Sequence, residues 1–194
     1  AEHVRVAASM LRKASIEEAA YECGSHWPER MADKSALIKA AELPRAIHNN
    51  CSGKHAGMLA VAKHLGVPLK DYVKRDHPVQ QAVARAIDYY CHVDTATSPW
   101  GIDGCSVPTW AMPLANLAQG FARLFAPSNT TGQRIAKAAS AHPFLIAGTN
   151  KFDSKIMAEI PRLFIKVGAE GVYCGAIPHA SLGFALKIDD GAVR

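Results

Sequence analysis

Three short segments of this 194-residue sequence gather side chains that can do chemistry. The first is His48-Asn49-Asn50-Cys51-Ser52-Gly53-Lys54-His55-Ala56-Gly57, a dense polar run leading into an apolar stretch. Cys51 and Lys54 are three positions apart, a spacing that puts two side chains on one face of a helical turn. A helix start also favours an anionic thiolate. Such a turn can hold a metal or an anion, although the commoner use of the pattern is a capping turn around a buried thiol. Gly53-Lys54 is not a phosphate-binding loop, because the upstream glycine and the following Ser or Thr of that motif are missing.

The second segment is Trp100-Gly101-Ile102-Asp103-Gly104-Cys105-Ser106-Val107-Pro108-Thr109-Trp110. It reads either as a loop aiming Asp103 and Cys105 into a pocket or as a Gly/Pro turn whose aspartate serves local hydrogen bonds. The third is Phe164-Ile165-Lys166-Val167-Gly168-Ala169-Glu170-Gly171-Val172. Lysine on a strand followed by x-Gly matches the Lys-Thr-Gly arrangement of penicillin-recognising enzymes, with valine in the middle. There the lysine serves the nucleophile and the substrate carboxylate; the plainer reading is an edge-strand lysine that keeps the strand soluble.

The elements that must position these segments follow from periodicity. Val4, Ala8, Leu11 and Ala14 form a helical stripe, and Ser15-Ile16-Glu17-Glu18 is a capping-box pattern for a second helix. Further helices are expected over 32–41 and 53–65, the latter stopped by Gly66 and Pro68. Pro78 opens another, with Val79, Val83, Ile87 and Tyr90 inward, and one more follows Pro113 with Leu114, Leu117, Phe121 and Leu124. Residues 132–140 and 154–160 are also helical in pattern. After Pro161 the character changes to β-prone runs at 163–167, 172–177 and 183–188, separated by short turns, which predicts a three-strand antiparallel meander. Helices first and strands last give an α+β fold, mainly helical over 1–160 and antiparallel strands over 161–194. A three-strand sheet usually needs more strands or another layer, so the expectation is a partial domain, a fragment of something larger.

Composition narrows the class. Apolar residues make up 49% and charged residues 20%, as in ordinary globular chains, and no apolar run is long enough to cross a bilayer. The net charge of +5 is spread without a basic tract, which argues against nucleic acid as a partner. Five irregularly spaced cysteines predict reduced thiols and a cytoplasmic location rather than a disulfide framework. Cys23, Cys91 and Cys174 read as small apolar residues. His3, His26, His64, His77, His92, His142 and His179 have no partner at a metal spacing and read as surface or structural.

In combination, the ordered motifs Cys-Ser-Gly-Lys-His-Ala-Gly at 51–57, Gly-Ile-Asp-Gly-Cys-Ser at 101–106 and Lys-x-Gly-Ala-Glu-Gly-Val at 166–172 closely resemble the L-asparaginase II family. Glu22-Cys23-Gly24-Ser25-His26-Trp27-Pro28 and His48-Asn49-Asn50 resemble it too, so the likeness runs along essentially the whole chain. The resemblance implies the serine β-lactamase and glutaminase fold, and an amidohydrolase that converts asparagine to aspartate and ammonia. It implies a zinc site with thiolates from Cys51 and Cys105 and a neutral amine from Lys54. A nearby dication and two thiolates would favour loss of the lysine proton. It places His55, Asp103 and Glu170 near the substrate, with Asp103 suited to the α-ammonium of asparagine. Lys166 matches the strand lysine that assists the nucleophile. The expected partner is a small molecule, with no nucleic acid and no membrane, and the expected assembly is a homodimer.

The departures bear on activity. Family members carry a Ser-x-x-Lys motif in which the serine attacks the amide and the lysine takes its proton, and a second serine that pairs with the strand lysine. No lysine of this sequence follows a serine by three positions. Both serine-bearing stretches are therefore expected upstream of Ala1, and the chain by itself is expected to be inactive. Asp153 aligns where the family can have cysteine, and Val167 where threonine is usual. Two other classes stay open: a hydrolase that uses the Cys51/Lys54/Cys105 zinc to activate water, and a non-catalytic domain that binds zinc and a ligand without converting it.

Overall fold

The computed structural model describes residues 2–192. These form two compact units. The first takes the chain up to Ala84 together with Pro99–Trp110; the second takes Arg85–Ser98 and the chain from Ala111 on. The architecture is α+β, with eight α-helices and two small antiparallel sheets among the described residues.

In the first unit, helix α1 (Glu2–Ala14) buries Ala7 and Leu11 and packs against α3 (Ser52–Leu65), which buries Ala56, Leu59 and Ala62. Their shared core also takes in Ile16, Tyr21, Cys23, Ile47, Tyr72, Cys105 and Val107. The capping-box expectation after α1 fails. Ser15 adopts φ 51° and the Ser15 and Ile16 amides donate to the Arg12 and Leu11 carbonyls, so this serine closes α1 in a left-handed C-terminal cap. Ile16 then packs back onto the Leu11 core, and only a short 3-10 turn follows at Glu18–Ala20. Helix α2 (Met31–Lys39) buries none of its residues. Gly66 ends α3 at φ 68°, a conformation that glycine adopts without steric cost.

Helix α4 (Pro78–Cys91) runs from the first unit into the second. The stretch read as a loop aiming Asp103 and Cys105 into a pocket, or as a Gly/Pro turn, contains a hairpin of β1 (Trp100–Ile102) and β2 (Pro108–Trp110), in which Trp100 faces Trp110 and Ile102 faces Pro108. Strands this short carry no period-2 signal, which is why the pattern alone does not reveal them. Arg75 stacks on the Trp100 ring at 4.7 Å and steadies the hairpin.

The second unit holds α5 (Leu114–Leu124), α6 (Thr130–Ala141), α7 (Pro143–Ala147) and α8 (Phe152–Glu159), then β3 (Phe164–Val167), β4 (Val172–Ile177) and β5 (Leu182–Lys187). The strands form a meander in the order β3-β4-β5, with Lys166 opposite Cys174 and Cys174 opposite Ala185. Helix α5 lies on β4 and β5, close enough that a Cβ on Gly183 would meet the Ala118 carbonyl oxygen at 2.0 Å. Phe125, just past α5, stacks on Phe164 of β3 at 4.4 Å between ring centres. Arg123 donates to the Tyr89 and Tyr90 carbonyls and so satisfies the C-terminal end of α4. Helix α7 has five residues, too few to show a stripe, and does not stand out in the sequence. Among the described residues, no helix is long and apolar enough to cross a membrane.

Candidate functional site

The first unit brings together the reactive residues of the first two segments. Cys51 is the N-cap of α3, and its amide donates to Asn49 Oδ1 at 2.8 Å. Asn49 is itself buried, and its side-chain nitrogen donates to the carbonyls of Cys23 and Gly24. The turn before α3 is thus tied to the irregular stretch around Cys23, which fixes where the Cys51 side chain emerges. One turn into the helix, Lys54 extends from the same end.

The β1–β2 hairpin supplies the other side. At its tip the Asp103 amide donates to the Val107 carbonyl at 2.8 Å, and the Ser106 amide donates to the Asp103 carbonyl at 2.8 Å. Ser106 takes φ 75°, which turns the chain sharply enough to project Asp103 and Cys105 together. Cys105 and Val107 are buried in the α1–α3 core and anchor the tip.

Four side chains then meet. Lys54 Nζ lies 3.1 Å from Cys105 Sγ and 3.5 Å from Asp103 Oδ2, and the Cys105 thiol donates to Asp103 Oδ2 at 3.3 Å. Cys51 Sγ, Cys105 Sγ and an Asp103 oxygen all lie within 4.8 Å of one another, an arrangement that could hold a metal ion. The charges are mutually supporting. Burial works against the Lys54 ammonium, but the Cys105 hydrogen bond, the two thiols and Asp103 outweigh it and raise its pKa. Burial likewise pushes against the Asp103 carboxylate, and the Cys105 thiol, Lys54 and the Gly104 amide pull its pKa below the usual range. Burial raises the Cys51 thiol, with Lys54 opposing. Without a cation Lys54 therefore holds its proton and neutralises the cluster; a metal ion would take over that positive role.

The donor set suits a cation. Two sulfurs and a carboxylate oxygen, with an amine beside them, are the ligand types of a borderline-soft divalent metal rather than of calcium or magnesium, which take oxygen alone.

His55 is fully buried one residue beyond Lys54. Its Nδ1 is 2.6 Å from the Tyr72 hydroxyl, with the rings edge to face, and among the described residues its Nε2 has no hydrogen-bond partner. Burial, aided by the Lys54 charge, depresses its pKa to about 4, so the imidazole is neutral at neutral pH. Tyr72 does not stand out by spacing, because it acts through partners distant in sequence, and Asn49, quoted within the first motif, shows its tie to Cys23 and Gly24 only in the fold. Asp103, which the resemblance assigns to the substrate, also sits among the possible metal donors.

Lys166 and Glu170 belong to the second unit. Lys166 is exposed on β3 and donates to the Val167 carbonyl at 2.8 Å. Glu170 is exposed in the β3–β4 turn at φ 55°. Asp153, on α8, is almost fully buried, and its Oδ1 accepts from the Val167 amide at 2.6 Å, fixing the end of β3 next to Lys166.

No curated protein matches the chain. The sequence model of one family, L-asparaginase II, matches residues 1–194. Its match spans both units and all three motifs, and the chain belongs to the L-asparaginase II family.

Proposed function

We propose that this chain is part of an asparaginase-type amidohydrolase in which Cys51, Lys54 and Cys105 hold zinc beside the substrate site. The observation that carries this reading is the meeting of Lys54 Nζ, Cys105 Sγ and Asp103 Oδ2 within 3.5 Å, with Cys51 Sγ alongside. Family membership supplies the reaction class. When bound, zinc would supply a Lewis-acid charge at the site. Asp103 stays ionised at neutral pH and is the group suited to the α-ammonium of asparagine. The resemblance to the family further assigns His55 and Glu170 to substrate recognition and Lys166 to assisting the nucleophile, in a serine β-lactamase-like framework.

The chemistry itself needs a serine. Its oxygen attacks the side-chain amide carbon, ammonia leaves, and water hydrolyses the acyl-serine to aspartate. No Ser-x-x-Lys occurs in these 194 residues, so the chain alone is proposed to bind without turning over. Calorimetric zinc titration, run with an assay of ammonia release from asparagine, tests both parts. Stoichiometric zinc binding that weakens about a hundredfold or more in Cys105→Ser is expected. Equal affinity in the two proteins removes the zinc site, and chelator-sensitive turnover by the chain alone makes it a metal-dependent hydrolase instead.

A further inference from the structure

We propose that Tyr72 is a positioning residue: it sets His55 in the neutral form whose proton is on Nε2, so that the buried histidine presents a single N–H donor. The inference rests on the proposed function only for His55's role toward substrate; the proton's location follows from hydrogen bonding alone.

A tyrosine hydroxyl has one proton to give and two lone pairs to receive with. The Tyr72 hydroxyl accepts from the Glu22 amide at 3.1 Å and faces His55 Nδ1 at 2.6 Å. Were Nδ1 protonated, it would donate to the phenol, and two buried groups would then go unsatisfied: the phenol proton and the bare Nε2. With the proton on Nε2, the phenol donates to Nδ1 and accepts from Glu22, and only the Nε2–H is left over. A doubly protonated ring would leave the phenol proton idle and also bury a charged N–H without a partner. Each unsatisfied buried group carries a penalty, and the Nε2–H form has the fewest.

The surroundings hold Tyr72 in place for this task. It is fully buried, and its carbonyl accepts from the Gln80 side chain at 2.9 Å. The Glu22 carboxylate accepts from the amide of the preceding residue, Asp71, at 2.8 Å, where the backbone takes φ 64°. Glu22 thus grips the Tyr72 segment twice, by its own amide at the phenol and by its carboxylate at Asp71. The remaining Nε2–H is buried and has no partner among the described residues, so an oxygen of the proposed substrate would take it only by reaching this interior.

The test is nitrogen-detected imidazole NMR on the isotope-labelled, metal-free chain at neutral pH, with His55→Gln assigning the signal. A protonated Nε2 and bare Nδ1 are expected in the wild type; a protonated Nδ1 overturns the proposal. In Tyr72→Phe, loss of one neutral hydrogen bond should lower the ratio of the two ring forms about two- to tenfold while the amide spectrum stays folded. An unchanged ratio means that Tyr72 does not set it. Should Tyr72→Phe not fold, the wild type decides: a coupling across the hydrogen bond from the Tyr72 hydroxyl proton to His55 Nδ1 is expected, and its absence with a proton on Nδ1 overturns the proposal. Zinc and asparagine are absent from the measurement, so a failed zinc titration, which would defeat the proposed function, leaves this result intact.

Discussion

The two units treat buried polar groups differently. In the second, the buried polar side chains are Thr95 and Asp153, and both are matched: Thr95 donates through its amide and hydroxyl to Asp88, and Asp153 accepts from the Val167 amide. In the first, Asn49, Ser52, His55, His77 and Gln80 are buried, and every buried side-chain atom without a partner among the described residues falls there: Tyr21 Oη, His55 Nε2, Gln80 Oε1 and Trp110 Nε1. An unsatisfied buried group costs about 1–3 kcal/mol. Such costs concentrate where a fold departs from pure packing for the sake of a site, and one of them, at His55, lies next to Lys54 in the chain. The second unit, built on the Phe121–Phe125–Phe164 stack and the meander, holds none of these unpartnered atoms among the described residues, and the two site residues proposed in it, Lys166 and Glu170, are exposed.

The largest effect that could break this contrast lies in the second unit. Phe125→Ala removes a ring that is 1% exposed and should cost about 3–5 kcal/mol in denaturant unfolding, with zinc affinity at low denaturant unchanged. Loss of zinc affinity alongside would show that the units do not divide the work. Next comes the metal. Zinc at a hundred times its dissociation constant should stabilise the wild type by about 2.7 kcal/mol and Cys105→Ser far less, read as a shift in thermal unfolding. Equal shifts would mean binding elsewhere.

A smaller effect follows from His55 in the metal-free chain. Its pKa falls from 6.5 to about 4 on folding, so the unfolded chain takes up a proton first as the pH drops. The contribution is complete above about pH 6.5, declines as the pH falls toward 4, and levels off below, a loss of up to about 3 kcal/mol. His55→Gln should flatten that part of the pH–stability curve; an unchanged slope would assign it to other groups. Lys166→Met is the smallest. On an exposed strand position it should change stability by no more than about 0.5 kcal/mol, whatever it does to turnover in a protein that also carries the serine motif. A larger loss would make Lys166 structural and blur the contrast from the other side.

Local pattern alone determined the stripe of α1, the glycine stop of α3, the proline start of α4 and the three-strand meander, because each depends on periodicity or on a residue's backbone preference within a few positions. The Cys51–Lys54 spacing also marked one half of the candidate centre, since a helical turn fixes that geometry locally. The rest needed contacts between distant segments. Ser15 looked like the start of a helix but closes one, because Ile16 gains more by folding back onto the Leu11 core than by opening a new turn. Asp103 joins Lys54 across 49 positions only because the β1–β2 hairpin buries Cys105 and Val107 in the α1–α3 core. Tyr72 reaches His55 because the Glu22 and Gln80 bonds hold it there. Composition and spacing name the reactive groups, but which of them share a proton is decided by tertiary packing, since a hydrogen bond forms only between atoms brought within about 3 Å.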